Sequence, residues 1–144
     1  MSRKTRHAES AEPVALGFHD DIKKIAKKNL AFREAVCTGA FSELVVMSIS
    51  PMGELGQETH DNADEILFII EGKGELILNG QTQAANKHDA IFVSAGEIHD
   101  LRNTGHDEMK LVAVYSPPPS GRDTTIHKTG AKAAEEQLRH AWEQ

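Results

Sequence analysis

The stretch GQETHDNADEILFIIEG, residues 56–72, sets one histidine between two carboxylates and then runs into uninterrupted apolar residues. Glu58 and His60 are two positions apart, and Glu65 follows after the polar break Asp61-Asn62-Ala63-Asp64. On a strand, residues so spaced project from one face, about 7 Å apart along the chain. The break has turn composition, so the chain can reverse and return Glu65 beside the first pair. Downstream, SAGEIHDLRN places His99 just after a turn at Gly96. With that strand alongside, His99 becomes a fourth inward donor. Two imidazoles with one or two carboxylates suit Zn²⁺, Mn²⁺, Fe²⁺, Co²⁺ or Ni²⁺.

The flanking sequence indicates what could hold these donors. Residues 1–16 are polar, include Pro13 and show no periodicity, which reads as a mobile arm. From Asp20, Ile22, Ile25 and Ala26 fall at helical spacing, with aspartates leading and lysines following as the helix dipole favours. Residues 17–42 thus read as a helix and a lead-in strand, broken by a turn at Thr38-Gly39. Between Phe41 and Tyr115 the texture is all-β: Leu44–Ile49, Ile66–Ile70, Leu76–Leu78, Ala90–Val93 and Leu111–Tyr115 are short apolar runs between turn residues. Asn79-Gly80 is a hairpin signal, because both residues tolerate the positive φ of a type I′ turn. Many short strands over 43–116 imply a sandwich or barrel. Pro117-Pro118-Pro119 ends the last strand. The tail, 117–144, then offers Thr129 as a helix cap and an apolar stripe of Ala134, Leu138 and Trp142.

Glu58-x-His60-x4-Glu65-x6-Gly72 and His88-x5-Ser94-x-Gly96-x2-His99-x3-Asn103 resemble the two signatures of the cupins, G-x5-H-x-H-x3/4-E-x6-G and G-x5-P-x-G-x2-H-x3-N. The fifteen residues from Lys73 to Lys87 match the compact spacing of bacterial members. The resemblance implies a double-stranded β-helix, or jelly-roll barrel, with His60, Glu65 and His99 as metal ligands. Departures accompany it: Glu58 replaces the first histidine, Gly53 lies one residue closer than the motif asks, and His88 and Ser94 replace a glycine and a proline. The flanks FREAVCTGAFSELVVMSISPMGELGQETH and YSPPPSGRDTTIHKT are similar to an uncharacterised single-domain subgroup labelled mannose-6-phosphate-isomerase-like.

Glu58 carries over by position only, and three roles stay open for it. As a ligand it completes a hard, anionic site that favours Mn²⁺ or Fe²⁺. As a catalytic general base it stands beside a three-ligand metal. As a bystander it is surface charge. For His60 and His99, the plainer reading is polar strand residues in a barrel that has lost its metal.

Bulk properties narrow the function. A chain of 144 residues is one domain's worth. A net charge of −6 argues against a nucleic-acid surface. Cys37 stands alone, so no internal disulfide staples the fold. No apolar run approaches the roughly 20 residues that span a bilayer, and the first residues lack a signal core; the expectation is a cytoplasmic protein without a membrane partner. The unalternating run Ile66–Ile70 calls for cover on both faces, by a partner sheet, the N-terminal arm or a second subunit, and the cupin resemblance implies a homodimer. Phe68, Phe92 and Met47 are candidates to line a small pocket for a small polar ligand. Arg102 has the wrong parity to face inward with His99. His7, His19, His88, His106 and His140 read as exposed, and His127 as a weak candidate for covering the barrel mouth.

Two classes of function remain. One is a metal-dependent enzyme acting on a small polar metabolite by isomerisation, oxygen-dependent cleavage or decarboxylation. The other is a non-catalytic binding or sensing barrel with structural metal or none.

Overall fold

The computed structural model describes residues 17–56 and 59–119, and the backbone alone of 126–127. The N-terminal arm, Glu58 and the tail residues Thr129, Ala134, Leu138 and Trp142 lie outside the described residues. Among the described residues, one helix, α1 (Ile22–Lys28), precedes nine strands: β1 (Ala31–Thr38), β2 (Glu43–Ile49), β3 (Asp64–Glu71), β4 (Gly74–Leu78), β5 (Gln81–Ala85), β6 (Ala90–Val93), β7 (His99–Asn103), β8 (Met109–Ser116) and β9 (Ile126–His127).

Local chemistry explains the element ends. The Asp21 carboxylate accepts from the backbone N–H groups of Lys23 and Lys24, capping α1, while Lys27 and Lys28 occupy its last turn. Asn79 and Gly80 join β4 to β5 with φ of 49° and 85°, the positive pair that a type I′ turn needs. A six-stranded antiparallel sheet, ordered β6-β3-β8-β2-β1-β9, faces a three-stranded one, β5-β4-β7. Their inner faces enclose a core that includes Met47, Leu67, Ile69, Leu101 and Leu111, none more than 1% exposed. This is the double-stranded β-helix that the cupin resemblance implied.

The helix is short, and tertiary contacts hold it. Ala26 packs on Val46 and Val112 from the outer face of the large sheet, with Ile22, Ile25 and Ile70 around them. At its C-terminus the buried Lys110 ammonium donates to the Asn29 carbonyl (2.5 Å) and to Ser48 Oγ (2.8 Å). A cation there answers both the orphan carbonyl and the helix dipole.

Part of the cover required for the run Ile66–Ile70 therefore comes from α1, which stands over Ile70. The run itself alternates: Leu67 and Ile69 are fully buried, while Phe68 is 40% exposed. Phe68 and Phe92 (56% exposed) face outward; Phe92 borders an open pocket with Leu76, Leu78 and Ile91, Phe68 does not, and of the three candidates only Met47 is interior. Strand parity is the reason, because both phenylalanines are out of phase with the inward residues Leu67 and Val93.

Gly74 marks where the sheet tolerates no side chain. A Cβ there would overlap the Arg102 carbonyl across the β4–β7 ladder and crowd Met109. Gly74→Ala should lower unfolding free energy by about 3 kcal/mol, the upper part of the usual overpacking range. Urea denaturation checks it, and a loss below about 1 kcal/mol would mean that the ladder yields freely at this point.

Candidate metal centre

Three elements converge at one end of the barrel. Glu65 comes from β3 in the large sheet, and His99 opens β7 in the small sheet, opposite Leu78. His99, Leu101 and Asn103 share the inward face, and Arg102 points out with its side chain 51% exposed. His60 is on no strand. It sits in the loop just before the turn at Asp61-Asn62, which corrects the expectation of a strand face shared with Glu58. Loop anchoring replaces strand pleating: Gly96 N–H donates to the His60 carbonyl (2.9 Å), and Ala95 N–H to Asp64 Oδ1 (2.9 Å). Gly96 has φ +90°, a conformation that glycine adopts without strain. The two motif segments are thus tied to each other by one backbone bond and one Asp64 side-chain bond.

The donor atoms lie close together. His99 Nε2 is 3.0 Å and His60 Nε2 3.7 Å from the same atom, Glu65 Oε1. One donor atom from each residue falls within 4.8 Å of the others. All three side chains are buried, at 7% exposure or less. Despite the short contact, neither Glu65 Oε1 nor His99 Nε2 makes a hydrogen bond of acceptable direction. Buried polar atoms without such a bond are rare in folded proteins. A cation held by all three residues could satisfy these atoms. The donor set fits a divalent transition metal.

Electrostatics agrees with the geometry. Burial favours a neutral Glu65, but the neighbouring His99 and His60 outweigh it and hold its carboxyl below the usual range. Burial likewise opposes charge on His99, yet the Glu65 carboxylate prevails and raises the imidazole above its ordinary value. Tyr115, opposite Glu65 in strand register, also favours its ionised form.

Beyond the donors, the structure shows what other motif residues do. Asn103 donates to the carbonyls of Ile49 and Asp107 and accepts from Gly105 N–H, so it pins the turn before β8. His19, His88 and His106 are exposed, as expected. The backbone of His127 pairs with Ala31 at the edge of the large sheet. Sequence reasoning passed over Arg33 and Glu43, a buried ion pair at 3.2 Å beside Tyr115.

Next to His99, on the opposite face of β7, Asp100 is buried and accepts from Gly56 N–H (2.9 Å). Desolvation, reinforced by the neighbouring Glu54 carboxylate, pushes its pKa up to about 6. A raised acid favours the fold while protonated, fully below its ordinary value of 3.8, and that contribution is lost as pH rises through about 6. Asp100→Asn keeps an acceptor for Gly56 and cannot ionise. It should exceed the wild type in stability by on the order of 1–2 kcal/mol at pH 7.5 and match it at pH 4. Chemical denaturation at both pH values checks this, and an equal difference at the two would refute it.

Comparison with known proteins places this architecture. Residues 45–115 match the family described as Cupin domain, and the two-sheet architecture is the cupin double-stranded β-helix fold. YrkC of Bacillus subtilis, an uncharacterized protein, is 35% identical over 122 residues, covering 78% of this chain and 63% of YrkC. The crystal structure of BH2720 from Bacillus halodurans superposes with a TM-score of 0.76 at 30% identity, over 83% of this chain and 92% of that one. An oxalate-binding protein of Thermotoga maritima is 31% identical over 68 residues, 47% of this chain and 56% of its own. No helix among the described residues is long and apolar enough to cross a membrane.

Proposed function

We propose that His60, Glu65 and His99 bind a divalent metal ion, and that the chain is a metal-dependent enzyme acting on a small, oxygen-rich metabolite. The observation that carries this reading is the convergence of buried donor atoms from His60, Glu65 and His99 within 4.8 Å of one another. Glu58, two residues before His60, is the expected fourth ligand or, failing that, the catalytic base; with two carboxylates the site favours Mn²⁺ or Fe²⁺. A bound ion would supply Lewis-acid polarisation of substrate oxygens. The chain's own contribution is placement. The barrel fixes three donors from three elements and leaves the remaining coordination positions to ligand. The likeness to an oxalate-binding protein supports a small carboxylic acid as that ligand.

Finer assignments join this reading. The flanking segments support membership of the mannose-6-phosphate-isomerase-like subgroup. The outward Phe68 and Phe92 support a homodimer, and the composition supports a cytoplasmic location. A non-catalytic binding barrel is the second reading. It is favoured by the relative's name, which states binding and no reaction, and by the engagement of the interior Arg33 with Glu43.

Elemental analysis of purified wild type, His60→Ala and His99→Ala tests the metal. Calorimetric titration of the metal-loaded protein with oxalate and related acids tests the ligand, and product analysis with oxygen consumption separates turnover from binding. Equal, negligible metal in all three proteins would refute the proposal.

A further inference from the structure

A row of three polar residues crosses the large sheet at the metal end. In strand register, Glu43 of β2 lies opposite Tyr115 of β8, and Tyr115 lies opposite Glu65 of β3. Each is at most 2% exposed. Burying two carboxylates and a phenol side by side in a barrel is unfavourable unless each is held. Arg33 holds one end. Its guanidinium meets Glu43 Oε1 at 3.2 Å and lies 5.3 Å from the Tyr115 ring centroid. Thr38 Oγ1 donates to the other Glu43 oxygen (2.9 Å). Glu43 is thereby fixed, Arg33 is fixed by it, and the Tyr115 ring is clamped beneath the cation.

The other side of Tyr115 meets the metal centre. Its ring stands edge-on to His60, with centroids 6.1 Å apart and an interplanar angle of 86°. In strand register Tyr115 stands directly opposite Glu65 on β3, and it favours the ionised carboxylate there. One side chain is therefore set beside two of the three donor residues.

We propose that Tyr115 is a positioning residue of the metal centre, clamped by the Arg33–Glu43 pair so that its hydroxyl orients the Glu65 carboxylate and its ring backs His60. This rests on the reading of His60, Glu65 and His99 as metal ligands. Hydrogen bonds to ligating carboxylates fix the ligand oxygen, and losing such a partner commonly lowers metal affinity by about 10–100-fold. The arrangement also accounts for a charged pair deep in the barrel, where apolar residues would pack with less penalty.

Titration of the metal-free full-length protein with Co²⁺, read by affinity and by the visible absorption of the bound ion, tests the assignment. Tyr115→Phe keeps the ring against His60 and Arg33 and deletes only the hydroxyl. It should fold with a near wild-type melting transition, bind Co²⁺ about 10–100-fold more weakly, and give an altered absorption band because Glu65 coordinates differently. A purely structural tyrosine would leave the band unchanged. Arg33→Met/Glu43→Leu, which removes both charges of the clamp, should shift affinity and spectrum in the same direction by a smaller amount, and it decides the matter if Tyr115→Phe does not fold. Wild-type affinity and spectrum in Tyr115→Phe would overturn the positioning role alone. Absence of Co²⁺ binding by the wild type would overturn the metal site and the positioning role together.

Discussion

Purified wild-type protein is expected to hold about one equivalent of a divalent metal, and His99→Ala to hold almost none. Metal sites in small proteins contribute roughly 10–16 kcal/mol, so deleting one of three or four donors removes on the order of 3–4 kcal/mol, several hundredfold in affinity. His99 is the most exacting test because its side chain is fully buried and lies nearest to Glu65. The same logic fixes the pH dependence. Burial opposes charge on His99, Glu65 overrides it, and the metal-free imidazole stays protonated above its ordinary pH range. Binding must displace that proton, so affinity should fall by about tenfold per pH unit for each proton displaced once pH drops below the raised value. The charged His99–Glu65 pair stabilises the metal-free fold between the two pKa values. Its histidine part is lost as pH rises through the raised imidazole value, and its carboxylate part as pH falls through the lowered Glu65 value. Competition titrations at several pH values measure the effect, and a pH-independent affinity between pH 5 and 8 would exclude imidazole ligation. The companion variant Glu58→Ala separates ligand from base: lost metal makes Glu58 a ligand, and retained metal leaves it as base or bystander.

What could be read from the chain depended on whether a residue's neighbours lie near it in sequence. The Asn79-Gly80 hairpin was legible because turn geometry is decided within four residues. His60, Glu65 and His99 were legible because the spacing of turns and strands brings them together in any barrel built on that pattern. The local conformation around His60 was not, since Gly96 N–H anchors it from a segment more than thirty positions away. Phe68 and Phe92 were placed inside because an unbroken apolar run hides which parity is inward. The phase is set by α1, which covers the outer sheet face over Ile70 and makes alternation unnecessary there. Arg33 and Glu43 were missed for the opposite reason, as charged residues are expected outside. Parity carried a signal: Glu43 is in phase with Val45 and Met47, and all three are buried. Charge on an inward strand position marks either an error of register or a buried network, and here it marks the network that reaches the candidate metal centre.

That network leads to the second large effect. Glu43→Ala should lower unfolding free energy by about 3–5 kcal/mol, because it removes the carboxylate that neutralises Arg33 in the barrel interior. The side chains of Arg33 and Glu43 are 0% and 3% exposed, so water replaces little of the lost partner. Arg33→Met should be similarly harmful, leaving Glu43 with the Thr38 hydroxyl (2.9 Å) as its hydrogen-bonding support. The double variant Arg33→Met/Glu43→Leu removes both charges and retains comparable apolar volume. No charge is then left to desolvate, and stability should return to within about 1–2 kcal/mol of the wild type, the remainder being lost contact with the Tyr115 face. A double-mutant cycle by urea denaturation of the metal-free protein measures the coupling, expected at about 3 kcal/mol or more. Additive single effects would show that the two charges do not depend on each other, and the clamp on Tyr115 would lose its foundation. Strong coupling with a stable double variant would show instead that the pair is dispensable for folding. Its retention beside Glu65 and His60 would then be explained by the orientation it gives to Tyr115, not by stability.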